Sequence, residues 1–424
     1  MDWSRPANVA VIGAGISGIV TAHILQRKHH VTIFEKNDYV GGHTRTVLVS
    51  RDQDRNLPVD TGFIVLNDRT YPHLLSFFRQ LNVPIACTDM AFSYWNPRTD
   101  FYYAGTGWRG LLAQTHQATR PRFWMFLADI LKFLSRTRKK LHKGDLKGRT
   151  LAQYLRDEGY SAQLVEEFVL PMAAAIWSTP AGRVGEFPAE AFARFYDHHG
   201  LLSLVRRPTW YYVQGGSHRY VLAFLERFQG KVLVKQPVQR IHRHDDSVTV
   251  IDHSGKAHAF DAVILATHAD EALAMLADPS AKEQALLSAW RYNRNRTVLH
   301  SDPSYLPPKR AAWASWNFIK HAEDQNPQRL TVSYYMNRLQ KLRTDTPYCV
   351  TLNPWATRPV RHEISSFDDT HPMYTFASYE TQKSLPALNG NRRTYFCGAY
   401  FGYGFHEDGV RSALAVARHF GMEL

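Results

Sequence analysis

Cysteine is scarce in this sequence. The three present, Cys87, Cys349 and Cys397, stand far apart and form no C-x-x-C spacing. Neither a disulfide framework nor a thiolate metal site is encoded, and a reducing compartment is expected. No histidine cluster has metal-ligand spacing, so no metal is expected. Long apolar runs are missing as well. The one run worth testing, NVAVIGAGISGIVTAHIL from Asn8 to Leu25, holds three glycines, a serine, a threonine and a histidine, and no small-residue cleavage pattern follows it. Neither a transmembrane helix nor a signal peptide is expected. The location expected is cytoplasmic, with a peripheral seat on the inner membrane face as an option. Acidic residues are outnumbered, leaving a formal charge of +13. That excess suits an anionic partner without requiring one. No helix-turn-helix, zinc or RNA-binding signature accompanies it, so nucleic acid is not expected.

With 424 residues, 44% of them hydrophobic, the chain can bury two domain cores. Its first part reads strand, turn, helix, strand. Val9 to Ile12 is an apolar strand, and Gly13, Gly15 and Gly18 supply a G-x-G-x-x-G spacing that leads into a helix at Ile16 and Ser17. The first glycine permits a tight turn, the second lets backbone approach a pyrophosphate, and the third lets helix pack on strand. A second strand, Val31 to Phe34, ends in Glu35, a carboxylate placed to accept both hydroxyls of an adenosine ribose. No arginine stands beside it, which speaks against a 2′-phosphate.

The next segments, EKNDYVGGHTRT and LPVDTGFIV, place Gly41-Gly42 beyond that acid and then a D-x-G turn. With these the chain resembles the flavin amine oxidase, phytoene desaturase and protoporphyrinogen oxidase superfamily. The resemblance implies FAD, held by Gly13, Gly15, Ile16, Ser17, Gly18, Glu35, Lys36, Gly42, His43, Thr44, Gly62, Phe63 and Ile64. His43 stands where the family usually has a pyrophosphate-binding arginine. It also implies an α/β fold: a discontinuous Rossmann-type FAD domain (residues 1–90, 206–275 and 386–424) and a mixed α/β substrate domain (91–205 and 276–385). A β-meander around Ser254-Gly255 and the return strand DAVILAT match the family's middle segment, with Val238 and Ala266 toward the adenine side. The segment TYFCGAYFGYGFHEDGVRSALAVARHFG matches its last. There Gly398 and Ala399 form the turn, and Gly409 and Val410 are expected at the first positions of a helix whose N–H groups face the flavin.

Between these pieces, residues 120–149 combine helically spaced apolar side chains (Phe123, Leu127, Ile130, Leu134, Leu141) with ten basic residues against Asp129 and Asp145. Two readings stand: an amphipathic helix on an anionic bilayer, or a core-packed helix with a solvated charged face. The aromatic stretches LPMAAAIWSTP and HPMYTFASYETQ resemble a bacterial branch of predicted NAD/FAD-binding proteins associated with cyclopropane-fatty-acyl-phospholipid synthases.

The resemblance implies hydride transfer from a substrate carbon to flavin N5. RYNRNRTVLHSD, the counterpart of the family's N5 segment, offers Arg294, Asn295, Arg296, Thr297 and His300 but no lysine. His406 is the expected acid/base, since imidazole titrates near neutrality. Glu407 would orient it, Tyr403 would face the ring, and Asp408 would favour the helix dipole. The expected substrate is a small molecule or lipid, the preferred reaction desaturation of a methyl-branched fatty acyl chain. A peroxide-producing amine or amino acid oxidase, a flavin-dependent double-bond isomerase and a non-enzymatic flavin sensor are the alternatives. The oligomeric state is left open.

Overall fold

The computed structural model of the chain describes residues 3–203, 205–320 and 331–424. Its organising layer is a five-stranded parallel sheet in the order Lys231–Leu233, His30–Phe34, Asn8–Ile12, Ala262–Leu265, Thr394–Phe396. The two strands nearest its centre, Asn8–Ile12 and Ala262–Leu265, are almost entirely apolar and buried, as a parallel sheet covered on both faces requires. The helix Ile16–Leu25 leaves the first strand and is buried along nearly its whole length, packed against the C-terminal helix His406–His419. Distant parts of the chain thus meet in one layer, the discontinuous Rossmann-type arrangement expected.

The meander is present as three antiparallel strands, Val238–Arg243, Val248–Asp252 and Ala257–Phe260. Its turn is organised by Asp252. That carboxylate accepts hydrogen bonds from Ser254 N (2.9 Å), Ser254 Oγ (2.6 Å) and Lys256 N (3.1 Å), and Gly255 takes φ +83°. Arg243, its side chain 1% exposed, pins the meander to the helix Ala281–Leu287 through Glu283 at 2.6 Å and Asp278 at 3.0 Å.

The second domain is built on a seven-stranded sheet. The order is Glu363–Met373, Arg291–His300, Cys349–Leu352, Thr331–Tyr335, Trp316–Ile319, Phe92–Asn96, Phe101–Ala104, antiparallel except where Trp316–Ile319 runs parallel to Phe92–Asn96. The helix Leu170–Trp177 packs on this sheet. The basic segment forms the helix Pro121–Lys143, stopped by Gly144 in the left-handed region. Its inner face buries Phe123, Phe126, Phe133 and Leu134, with Phe133 against Phe192 of the helix Ala189–His198 and Phe126 against Phe101 and Tyr103. Its outer face is not only charged: Trp124, Met125 and Leu131 are 46%, 65% and 50% exposed.

Candidate active site

The glycine turns build a groove at the carboxyl ends of the parallel strands. Gly13 adopts φ +99°, and a side chain there would meet Ala266 O at 2.9 Å. A Cβ on Gly18 would lie 2.0 Å from Gly13 O, so the helix can start this close to the strand only with hydrogen at that position. Gly15 differs, because a Cβ there meets nothing within 4 Å and points into open space. Gly42 abuts it, in the left-handed region at φ +59°. Gly13, Gly15 and Gly42, together with Ile16, Ser17, Glu35, Lys36, His43, Val238, Ala266, Gly398 and Ala399, line a cavity of about 760 Å³, whereas Gly18, expected at the cofactor, packs helix on strand and does not line it. Glu35 accepts from Ala14 N (2.8 Å), Asn37 N (2.9 Å) and Asn37 Nδ2 (2.8 Å). A carboxylate has about four acceptor sites, so capacity for a ribose hydroxyl remains. Lys36 is paired with Glu271. Gly62, Phe63 and Ile64 line a second cavity.

Three other expected contacts differ. The C-terminal helix begins at His406, three residues before Gly409, whose N–H already bonds Phe405 O at 3.2 Å. Gly409 is there for proximity instead: an added Cβ would stand 2.8 Å from Ser17 Oγ and 2.9 Å from Ile16 Cγ2. Thr44 is fully buried and bonds Tyr220 Oη (2.6 Å) and His406 Nε2 (3.0 Å). Neither it nor Gly409 or Val410 lines either cavity. Glu407 does not orient His406. It faces the helix Pro72–Gln80 and accepts His73 N (3.1 Å) and Leu74 N (2.9 Å), acting as a cap across the fold. Burial raises its carboxyl to about 7.

The second cavity, of about 320 Å³, lies between the two domains. Its walls are mainly aliphatic and aromatic, among them Ile64, Met90, Met172, Ile176, Trp177, Phe195, Leu201, Trp316 and Tyr334. His406 and Tyr403 line it, and His406 stacks on Phe63 with ring centres 3.8 Å apart. Burial keeps the Tyr403 hydroxyl protonated by raising its pKa.

The two cavities meet at His43, His268, Asp369, Pro372 and Ala399, which line both. Here the structure assembles a polar cluster that sequence reasoning missed. Arg45 Nη2 bonds Asp369 Oδ1 at 3.0 Å while its guanidinium stacks on Phe367 at 3.9 Å. Thr297, on the strand expected to carry the N5 lysine, donates to Asp369 Oδ2 at 2.8 Å. Burial pulls the Asp369 carboxyl upward, but neighbouring His43 and the bonds from Arg45 and Thr297 outweigh it and hold the group below its ordinary value. Around it, His268, His371 and His406 are kept neutral by burial, assisted by the nearby His43, which lowers them to about 4, 3 and 3. The neutrality-titrating imidazole expected at His406 is therefore absent; its Nε2 is engaged by Thr44 and, at 3.4 Å, by Tyr220. The sequence pointed to His43, Thr297 and His406 singly, but not to the Arg45–Asp369 pair that joins them, because Asp369 lies more than 300 residues from Arg45.

Residues 16–299, well over half of the chain, match the family described as flavin containing amine oxidoreductase. The chain belongs to that family. Its cofactor is FAD, and the groove fits it: a glycine opening where a pyrophosphate needs backbone, a ribose carboxylate at Glu35, and a junction with an apolar cavity. The family member is 25% identical over 317 residues to an L-amino-acid oxidase of Siganus canaliculatus, which covers 69% of this chain and 56% of that protein. It thus spans just over half that relative's length. Among solved structures it is similar to a CLA-producing fatty acid isomerase from P. acnes (TM-score 0.71, 14% identity, 99% of both chains). It is also similar to cyclohexylamine oxidase from Brevibacterium oxydans (TM-score 0.71, 16% identity, 98% of this chain and 99% of that one). At those identities the likeness is one of fold.

The buried neutral histidines set a pH dependence. Unfolded, each binds a proton below about pH 6.5; folded, only near 3 to 4. Their contribution to stability is complete above about pH 6.5 and is lost as pH falls through that window, by roughly 1.4 kcal/mol per pH unit for each histidine. Urea unfolding at pH 7.5, 6 and 5 should show this decline. In His371→Asn, which keeps an acceptor for Asn295, the slope should be shallower by about one histidine's share; an unchanged slope means His371 is not buried neutral.

Proposed function

We propose that this flavin-family chain removes two hydrogens from a fatty acyl chain of a membrane lipid, with peripheral attachment to the bilayer. The observation that carries the reading is the cavity meeting the cofactor groove, aliphatic and aromatic along its walls and polar at the groove end. Bound FAD supplies the two-electron acceptor for a hydride. The chain's own residues hold the substrate and take the remaining proton. His43 Nε2 lies 3.0 Å from the Thr370 carbonyl. A carbonyl only accepts, so the uncharged form of this ring carries its proton on Nε2 and leaves the lone pair on Nδ1. His43 is the proposed proton acceptor, with His406 and Tyr403 as uncharged walls beside it. The paired Asp369 offers no free carboxylate to a cationic amine, and among the described residues no lysine lines the junction.

The membrane reading rests on the helix Pro121–Lys143. Arg138 and Lys140 are turned aside into ion pairs with Asp197 (3.1 Å) and Glu158 (2.9 Å), whereas Lys132, Arg136, Lys139 and Lys143 are exposed beyond the apolar Trp124, Met125 and Leu131. No helix among the described residues is long and apolar enough to cross a membrane.

Two measurements test this. Anaerobic incubation with bacterial phospholipid vesicles should bleach the flavin band and yield an acyl product lighter by two hydrogens; a product of unchanged mass indicates an isomerase, and bleaching only by amines indicates an amine oxidase. Separately, the quadruple variant Lys132→Glu, Arg136→Glu, Lys139→Glu, Lys143→Glu should bind phosphatidylglycerol vesicles at least tenfold more weakly, given roughly 1 kcal/mol per basic residue at a surface. Unchanged binding rules the helix out as the contact.

A further inference from the structure

The apolar cavity has a second end. Among the described residues that line it, Gly62 is exposed beside His43 and Arg207 is the one exposed side chain; the others are buried or half-buried. Arg207 therefore marks a place where the cavity meets solvent, opposite in character to the Asp369 and His43 end that meets the cofactor groove. Its Nε donates to Ser203 O at 3.0 Å, which fixes the side chain and leaves the outer guanidinium nitrogens free. A second arginine stands there. Arg69 donates through Nη2 to the Arg206 carbonyl, and its Nη1 would stand 3.2 Å from a Cβ on Gly200, where Arg207 Cα would be at 3.6 Å. Among the described residues, neither of these two arginines forms an ion pair with a carboxylate. Next to them Val205 is 70% exposed. Arg69 and Arg207 thus stand side by side without a carboxylate partner, and the planar fork of arginine matches carboxylate or phosphate oxygens in pairs.

We propose that Arg207, with Arg69 behind it, binds the anionic head of the substrate and so fixes how far the chain reaches toward the cofactor groove. The ligand class is an amphiphile with one apolar chain and a carboxylate or phosphate head. The carbon presented to the groove is then remote from that head, and Arg207 acts as a specificity-determining residue. The inference rests on the reading of this cavity as the acyl-chain site.

The test is a tryptophan-fluorescence titration of the FAD-loaded protein, since Trp177, Trp210 and Trp316 line the cavity. Dodecanoate should bind about 10-fold to 100-fold more tightly than 1-dodecanol. Arg207→Gln should erase that difference while leaving dodecanol binding unchanged, and Arg207→Lys should retain part of it. If the preference appears instead only for dioleoylphosphatidylglycerol over dioleoylphosphatidylcholine vesicles, with the same response to Arg207→Gln, the head is a lipid phosphate. Equal binding of dodecanoate and dodecanol without a vesicle preference overturns the anchor and leaves the acyl-chain reading standing. So does a preference that Arg207→Gln does not alter. Failure of every one of these chains to bind overturns both.

Discussion

The structure depends on how closely two helices can begin beside the end of a parallel sheet. Ile16–Leu25 starts against the first strand because Gly18 leaves room for the Gly13 carbonyl, and His406–His419 starts against Ser17 because Gly409 has no side chain. A methyl group at either glycine drives atoms to within 3 Å of one another, and interiors at crystal-like density have no slack to absorb it. These approaches join residues nearly four hundred positions apart and bring the last segment of the chain to the groove formed by the first. Ile16–Leu25 then turns its positive end toward the groove, a setting that favours an anionic pyrophosphate.

A second constraint follows from where the groove ends. It opens into an apolar cavity, so the polar groups at the junction must satisfy one another in a poorly solvated place. Arg45 and Asp369 do so in part, as an ion pair through Arg45 Nη2 that is extended by Thr297 and flanked by the Phe367 ring, while Arg45 Nε and Nη1 are buried without a protein acceptor. Removing one partner of such a pair typically costs about 3–5 kcal/mol, because the other charge stays buried alone. The histidines solve the same problem by staying neutral. The junction is thus polar without a free charge on His268, His371 or His406, a setting suited to an uncharged carbon chain and to a proton acceptor whose tautomer is set by a backbone carbonyl.

Much of this was legible in the sequence where the determinants are local. The G-x-G-x-x-G turn, Glu35 at a strand end, the Gly255 turn and the helical spacing after Pro121 are all set by near neighbours, and each appears in the structure. What was not legible depends on partners far along the chain. Glu407 reads as a neighbour of His406 but serves the helix Pro72–Gln80, more than 300 residues away. Gly409 reads as a first position of the last helix, yet the helix already begins at His406, and Gly409 lies within its first turn packed against Ser17. Arg138 and Lys140 look like part of a basic face until Asp197 and Glu158 are seen beside them. His406 lines the cavity, but its neutrality follows from burial and from the nearby His43, neither of which a sequence displays.

The most direct measurement of the central claim, that the glycine groove is the seat of FAD, is the flavin content and stability of Gly15→Ala. Gly15 has φ −76°, open to any L-residue, and its Cβ would enter the groove without meeting protein atoms. The purified variant should retain FAD at least tenfold more weakly than the parent. Its unfolding free energy after removal of flavin should stay within about 1 kcal/mol of the parent's, since no packing is disturbed. If Gly15→Ala holds FAD as tightly as the parent, the pyrophosphate does not lie over Gly15 and the groove has been assigned to the wrong ligand.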